Sequence, residues 1–401
     1  MNTAAIRCAN DLKMYQALLD NTDVKRMRER IQRMEEKRES PGIRRHLLAT
    51  SVRLSRSMSA GLHNMADHCT ERLGLCTPLE LYAYAGPQFN AACFKPEEGR
   101  LFIMFSSSLL EAFADKELLF VMGHELGHHV YQHHDIPIGY ILRGKRLPPP
   151  SLALDLFTWS RYAEISADRT GAYCAEDLQS VARALFKMAS GITGDRVVRF
   201  SLDEFLRQVD DMLAFDEQPG QGAPIQDWFL THPFNPLRVK ALKHFTESDL
   251  MRSGGIGKAE LEDRVQQVMG LMEPDYMEGK TDASRAMRNL FLAGAIAVAD
   301  VYEGISDQER EVLKSFLEKG YAVEDLDSQR LRKILPKRIA EAKQWASLTQ
   351  RMQVVRDLCI IARAERPVAT AELELLNEIA NGLDLPASFV QQCLEASAEL
   401  D

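Results

Sequence analysis

The residues most capable of chemistry lie in one short stretch, His124-Glu125-Leu126-Gly127-His128, which follows an apolar run. Residues four apart lie nearly one above the other on an α-helix, so the imidazoles of His124 and His128 can bind one metal ion. Glu125 lies about 100° around the helix from His124, where its carboxylate can reach a water held by that ion. This is the spacing of a zinc-peptidase helix. The alternative is a helix that carries histidines for another reason, since three more histidines follow closely.

A third metal ligand is expected further along the chain, because a catalytic zinc usually takes three protein ligands. The segment 160–168 has few helix breakers and predicts a second helix, with Glu164 and Asp168 on one face. We expect Glu164 to bind the metal and Asp168 to accept a hydrogen bond from the outer ring nitrogen of His124. Taken alone, the two acidic residues would indicate only a solvated helix face. The upstream motif is what favours the ligand interpretation.

These two segments together resemble the HtpX-like gluzincin metallopeptidases, a family that also includes the endopeptidases of prenylated CAAX proteins. Two further segments carry the resemblance, in the same order along the chain. Phe89–Cys93 is similar to an Asn-Ala segment on an edge strand beside the cleft, and Thr231–Arg238 is similar to a His-Pro…Arg motif. The resemblance covers about residues 45–250. It implies peptide-bond hydrolysis with one zinc ion, Zn²⁺, on protein or peptide substrates.

The resemblance also implies roles for residues outside the two helices. His232 would stabilise the oxyanion of the tetrahedral intermediate, and Arg238 would lie near it and organise the site. The substrate would bind extended along the edge strand near Asn90 and Ala91. Glu125 would take a proton from the attacking water and pass it to the leaving amine. Without the resemblance, His232 could equally be an ordinary loop histidine.

The composition limits the partners and the compartment. The net charge of −9 gives no support to nucleic-acid binding by the whole molecule. Residues 25–56 hold 11 Lys and Arg against 4 Glu, which predicts a solvated helix face. Contact with an anionic membrane surface or with an acidic partner is the less favoured alternative. The first 20 residues lack a long apolar core, and no stretch of 18 apolar residues predicts a transmembrane segment. With seven cysteines in no paired spacing, we expect a soluble cytoplasmic protein.

The elements predict a mainly α fold with a small β-sheet, in which a gluzincin-type metallopeptidase domain is followed by an all-α domain. A helix is expected over residues 44–75, and strands over Leu79–Ala85 and Leu101–Ser106. Asn235 as the N-cap and Pro236 at the first helical position predict a helix start after the His232 loop. The predicted domains are an N-terminal helical segment (1–43), the peptidase domain (44–252), a linker (253–281) and the all-α domain (282–401).

The C-terminal segment carries a weak internal repeat, in which Val298-Ala299 aligns with Ile361-Ala362 at an offset of 63 residues. The segment loosely resembles a TerB-like helical domain, named for tellurite-resistance proteins. That resemblance implies binding of partners or substrates through residues 282–401. The alternative is a domain that only contributes stability.

Three functions fit the sequence. The first is a soluble zinc endopeptidase that is regulated by a partner or acts in protein quality control. The second is a non-catalytic binding or scaffold protein with a vestigial or structural zinc site, and the third is a peptidase that is latent until a partner docks on residues 282–401. Glu125 distinguishes the first function from the second, because it is needed for catalysis and not for metal binding. A protein that had lost its activity would be expected to lose this residue first. Its presence favours the enzyme.

Overall fold

A computed structural model of the chain describes residues 3–36, 42–142, 150–216, 230–272, 276, 282–299, 328–346, 348–363, 368–386 and 388–396. These residues confirm the predicted fold class, which is mainly α with a small β-sheet. The chain divides into two compact units. The first comprises Met1–Asp211 and Phe229–Met269, and the second comprises Met212–Trp228 and Gly270–Asp401.

The first unit contains a four-stranded sheet, with strands β1 (Val52–Leu54), β2 (Leu79–Tyr84), β3 (Ala91–Glu97) and β4 (Arg100–Ser106). The strand order is β1-β2-β4-β3, with β2 parallel to β4 and the other neighbours antiparallel. Among the described strands, β3 therefore lies at an edge of the sheet. Both predicted strands are present to within one residue. The predicted helix over 44–75 is wrong, because β1 interrupts it and pairs with β2.

The helices of the first unit begin with α1 (Thr3–Ile6), α2 (Ala9–Asp20), α3 (Thr22–Glu36), α4 (Ile43–Thr50), α5 (Ala60–Leu73), α6 (Ser107–Ala112), α7 (Asp115–Val130) and α8 (Ile138–Leu142). They continue with α9 (Pro150–Ala175), α10 (Leu178–Ser190), α11 (Leu202–Asp216, whose last residues belong to the second unit), α12 (Asn235–Thr246) and α13 (Lys258–Gly270). A 3₁₀ turn at His133–Asp135 follows α7.

Helices α7 and α9 carry the two predicted metal-binding segments, and small residues form their contact. A Cβ atom on Gly127 would lie 3.0 Å from the Cα atom of Ala167, and one on Gly123 would lie 2.9 Å from the Cα atom of Gly171. A side chain on Gly171 would in turn collide with the carbonyl oxygen of Phe120. The distance between packed helices depends on the side chains at their contact. These glycines therefore let α7 and α9 approach closely enough for their side chains to converge.

The N-terminus of α7 is fixed by a charged residue that faces inward. The carboxylate of Glu117 accepts a hydrogen bond from the backbone N–H of Ala114 at 2.7 Å, which satisfies one free donor at the helix start. The same carboxylate pairs with the ammonium group of Lys187 on α10 at 2.7 Å, and both side chains are buried. One end of the motif helix is thus anchored to a neighbouring helix.

The predicted linker 253–281 contains the whole of α13. Leu261, Val265 and Met269 of this helix are buried in the main core of the first unit. The proline-rich stretch Leu147–Pro150 predicts a loop between the two metal-binding helices, but Pro150 is the first residue of α9. The rest of this stretch and the Gly-rich stretch Gln218–Gly222, which also predicts a loop, lie outside the described residues.

The helices of the second unit are α14 (Asp282–Ala299), α15 (Ser328–Trp345), α16 (Leu348–Ala362), α17 (Thr370–Gly382) and α18 (Phe389–Ala396). Helix α14 is buried from Leu290 to Ala299 and forms the centre of this unit's core. The first copy of the predicted repeat lies mostly outside the described residues. In the second copy, α17 begins at Thr370, where the Glu372 carboxylate accepts the N–H of Ala369 at 2.7 Å.

Candidate metal and catalytic site

Helices α7 and α9 bring three predicted metal ligands together. One ligand atom each from His124, His128 and Glu164 lies within 4.8 Å of the others. The Nε2 atoms of the two histidines are 3.2 Å apart. The carboxylate oxygens of Glu164 lie 3.5 Å from Nε2 of His124 and 3.4 Å from Nε2 of His128. Both imidazoles therefore direct the same ring nitrogen to a common point.

The donor set suits a divalent metal of the zinc type. Two imidazole nitrogens and one carboxylate oxygen are a common ligand set of catalytic zinc. Oε2 of Glu164 is buried and accepts no hydrogen bond from any residue that the structure describes. A buried carboxylate oxygen without a donor is costly. A cation between these three side chains would remove that cost, so the residues fit the metal.

The charge state of Glu164 also fits a ligand. Burial alone would raise the pKa of this carboxyl group, but the neighbouring imidazoles of His232 and His128 outweigh burial. Together with His124, they hold the pKa of Glu164 well below its usual range. Glu164 is therefore an anion at neutral pH, as a metal ligand must be.

Asp168 and Arg238 fix the orientation of His124. Nδ1 of His124 lies 2.9 Å from Oδ1 of Asp168. Arg238 donates two hydrogen bonds to the same carboxylate, from Nε at 2.8 Å and from Nη2 at 2.6 Å. Burial would raise the pKa of Asp168, but the Arg238 guanidinium outweighs it and lowers the pKa. The ionised Asp168 can then hold the proton of His124 on Nδ1 and leave Nε2 free to bind a metal.

Glu125 lies beside the three ligands and is held by the edge strand. Its Oε2 atom accepts a hydrogen bond from the backbone N–H of Cys93 on β3 at 2.8 Å. Because Cys93 is buried, the pKa of its thiol is raised, so the sulfur is a neutral thiol at neutral pH. The hydrogen bond between Cys93 and Glu125 is made by the backbone N–H of Cys93.

The other predicted residues line one cleft of about 530 Å³. The lining includes Asn90, Ala91, Glu125, His232 and Arg238, together with His124 and Glu164. The cleft thus brings together residues from the edge strand, both metal-binding helices and the segment before α12.

His232 and Asn90 have defined contacts in this cleft. The imidazole of His232 is exposed, and its Nε2 atom lies 3.5 Å from Oε1 of Glu164. Its Nδ1 atom lies 2.9 Å from the hydroxyl of Thr231. Asn90 is the residue before β3, and its side-chain amide donates to the hydroxyl of Tyr84 at 3.1 Å.

The start of α12 differs slightly from the sequence prediction. Asn235 is the first helical residue and not the cap, which is Phe234. The side-chain oxygen of Asn235 instead lies 3.4 Å from Nη1 of Arg238, so it helps to hold the guanidinium that bonds Asp168.

The site also contains features that the sequence analysis does not assign to it: His133, Asp11 and the glycine pair Gly123 and Gly171. His133 was counted only among the extra histidines, but its Nδ1 atom lies 2.9 Å from Nδ1 of His128. Its partner, Asp11, is distant in sequence and could not be found without the fold. Gly123 and Gly171 could have been suspected, because glycine within a helix pattern often marks close packing.

Two comparisons with known proteins support a metallopeptidase. The model of peptidase family M48 matches residues 57–143 and 151–246, a range that holds every predicted site residue. The chain is also similar to "Plastoglobule-localized metallopeptidase 48, chloroplastic" from Arabidopsis thaliana, with 27% identity over 218 residues. That match covers 50% of this chain and 61% of the relative, so the chain spans about three fifths of the relative's length. No solved structure gives a significant match.

Proposed function

We propose that the first unit is a zinc-dependent endopeptidase of the HtpX-like gluzincin type within peptidase family M48. The observation that carries the proposal is the convergence of His124, His128 and Glu164 on one point, with Glu125 beside them. The match to the M48 model over the same residues supports it. One zinc ion would be held by these three side chains, and it would polarise the substrate carbonyl and lower the pKa of the attacking water.

Glu125 is the proposed general base. Its carboxylate takes a proton from the attacking water and then donates that proton to the nitrogen of the leaving amine. The hydrogen bond from the Cys93 N–H to Oε2 orients the carboxylate, so that Oε1 is the oxygen available to the water. Water supplies the hydroxyl group of the new carboxylate product, and no covalent acyl-enzyme forms.

His232 is the proposed oxyanion donor. It is exposed in the cleft and its Nε2 atom lies close to Glu164, so a substrate carbonyl at the metal would lie within its reach. Preorganised donors of this kind are worth about 3 kcal/mol in the transition state. Arg238 and Asp168 have a different proposed role, because they orient His124 and are buried.

The substrate strand is proposed to pair with the open edge of β3 at Ala91. The N–H of Ser106 donates to the carbonyl of Asn90 at 2.9 Å, and paired residues of an antiparallel ladder alternate between bonded and non-bonded positions. The backbone groups of Ala91 and Cys93 therefore point away from β4. The Cys93 N–H is used by Glu125, which leaves Ala91 as the residue for a main-chain hydrogen bond with the substrate.

The role of the second unit and the setting of the enzyme are also proposals. A TerB-like function for residues 282–401 would be to bind a partner or substrate, and a partner could regulate the peptidase or direct it to protein quality control. No helix in the described part of the chain is long and apolar enough to cross a membrane. The relative's name places that protein in chloroplast plastoglobules. A cytoplasmic location for this chain stays a prediction from its sequence.

The test of the proposed function is the Glu125→Gln variant. We expect it to retain zinc and to lose cleavage, because glutamine has the shape of glutamate without the base. Peptides that accumulate with the wild type and not with the variant would be identified by mass spectrometry. Glu111→Gln, a change at an exposed residue of α6, is the matched control and should cleave like the wild type.

Two results would overturn the assignment. Full activity of Glu125→Gln would remove its role as base. A wild type that binds zinc but cleaves no peptide from a complex mixture would exclude a constitutively active enzyme and favour the scaffold or the latent-peptidase alternative.

A further inference from the structure

The second metal-ligand histidine, His128, stands at the end of a buried chain of hydrogen bonds that leaves the peptidase motif. Nδ1 of His128 lies 2.9 Å from Nδ1 of His133, in the 3₁₀ turn after α7. Nε2 of His133 lies 3.1 Å from Oδ2 of Asp11 on α2. His133 and Asp11 are buried, so no competing hydrogen bond to bulk water is available to them.

The positions of the protons follow from the donors and acceptors along this chain. Nε2 of His128 faces Glu164 and must be unprotonated to bind a metal, so its proton is on Nδ1. Nδ1 of His133 must then accept that proton's hydrogen bond, and the proton of His133 must lie on Nε2. That Nε2–H donates to Asp11, which as a carboxylate only accepts. A single arrangement satisfies every group.

We propose that Asp11 and His133 are positioning residues that orient His128 towards the metal. The inference rests on the proposed zinc site. In this arrangement both histidine ligands are oriented by a carboxylate: His124 contacts Asp168 directly, and His128 reaches Asp11 through the ring of His133.

Asp11 is itself held firmly, which is what a positioning group requires. Its carboxylate accepts hydrogen bonds from the hydroxyl of Ser166 at 2.7 Å and from the indole N–H of Trp159 at 3.0 Å. Both of these residues lie on α9, the helix that carries Glu164. Nε of Arg7 donates a further bond at 2.8 Å, and the guanidinium balances the carboxylate charge. Asp11 therefore links α2, the 3₁₀ turn and α9 at one point.

Asp11 lies outside the part of the chain that matches the family model, which begins at residue 57. Several contacts fix the N-terminal segment on the first unit. The N–H of Cys8 donates to Ser166, Arg169 donates to the carbonyl of Ile6, and the hydroxyl of Tyr131 donates to the carbonyl of Thr3. The N-terminal segment is thus part of the site and not only a leading helix.

The competing explanation is that His133 only fills space. Its ring lies against Trp159 and Tyr131, at centroid distances of 5.8 and 5.7 Å. Two substitutions separate the explanations. His133→Phe keeps a ring but has no acceptor for His128, whereas His133→Gln loses the ring but keeps a carbonyl oxygen that can accept.

The experiment measures zinc affinity of the full chain by competition with a chelator, and the visible absorption of the Co²⁺-substituted protein. Loss of a partner of a metal-bound imidazole typically weakens metal affinity by about 10- to 100-fold. We expect a loss of that size in His133→Phe, with a changed Co²⁺ spectrum, and an affinity within a few-fold of the wild type in His133→Gln. The reverse order, with His133→Phe near the wild type, would overturn the proposal.

Asp11→Asn tests the far end of the chain against a control for N-terminal docking. Glu262→Gln weakens that docking, because Glu262 accepts from Arg169 and from the N–H of Ala9, but it does not touch His133. Asparagine keeps an oxygen that can accept from His133 but lacks the negative charge that raises the basicity of the imidazoles. We therefore expect zinc affinity to fall about 10-fold in Asp11→Asn and to stay unchanged in Glu262→Gln. Equal losses in both variants would assign the effect to docking alone and refute a positioning role for Asp11.

These outcomes are distinct from failure of the proposed function. If the wild type itself binds no zinc, the metal site is wrong. If the wild type and Glu125→Gln bind zinc while every His133 and Asp11 variant binds it equally well, only the positioning role fails.

Discussion

Removal of the Arg238 side chain tests the charge arrangement behind the metal ligands. In Arg238→Met, the buried carboxylate of Asp168 loses two hydrogen bonds, at 2.8 and 2.6 Å, and its balancing charge. Breaking a buried ion pair by removing one partner costs about 3–5 kcal/mol. Because His124 still donates to Asp168 at 2.9 Å, we expect the lower end, about 3 kcal/mol.

The measurement is urea unfolding of the zinc-free protein, followed by pulsed alkylation of Cys174. This thiol is buried in the core of the first unit, so its labelling reports on that unit alone. With a denaturant slope of about 3 kcal/mol per molar urea, the midpoint should fall by roughly 1 M. Arg207→Met is the matched control, because it breaks an exposed pair with Glu204 and should shift the midpoint very little.

The stability loss caused by Arg238→Met should depend on pH. In the wild type the folded-state pKa of Asp168 is lowered, so its charge stabilises the fold above the unfolded pKa, and that stability is lost as the pH falls through the folded pKa. Without Arg238, burial is less strongly opposed and the pKa of Asp168 rises. The penalty of Arg238→Met should therefore be largest at pH 7 and shrink towards pH 4. A difference that is constant with pH, or smaller than that of Arg207→Met, would refute the reasoning.

Three further predictions concern helix packing, thiol reactivity and the second unit. Gly171→Ala should destabilise the first unit by about 1–3 kcal/mol and weaken zinc binding, because its Cβ meets the backbone of Phe120. The control is Gly61→Ala, where a Cβ meets nothing, so this change should be neutral or slightly stabilising. Equal effects of the two substitutions would contradict the packing argument. Iodoacetamide should modify exposed Cys76 well before Cys93, whose thiol is buried with a raised pKa, as peptide mass spectrometry would show; faster labelling of Cys93 would contradict it. Removal of residues 282–401 should leave a chain that binds zinc, and loss of all folding would argue against a separate unit.

The parts of the site that could be predicted are the residues that lie close together in the sequence, at helical spacing. The positions of His124 and His128 on one helix face follow from the helical period, and so do those of Glu164 and Asp168. The structure brings these four residues together, although their assigned roles stay proposals. The two apolar, β-prone runs predict β2 and β4, whereas the edge strand beside Asn90 was implied only by the resemblance to the peptidase family.

The parts that could not be predicted depend on contacts between distant segments. Strand β1 is only three residues long and exists because it pairs with β2, so its sequence alone read as helix. The contact of Asp11 with His133 joins positions 122 apart in the chain. The periodicity of a local segment cannot predict a contact between residues so far apart in the chain. The same holds for Glu262, which contacts Arg169 only because α13 packs into the core of the first unit.

Elemental analysis of the purified chain and of Glu164→Ala tests the central claim most directly. We predict one zinc ion per chain in the wild type and in Glu125→Gln, and none retained by Glu164→Ala after dialysis against a weak chelator. Undiminished zinc in Glu164→Ala would contradict a metal site shared by α7 and α9, and with it the proposed mechanism.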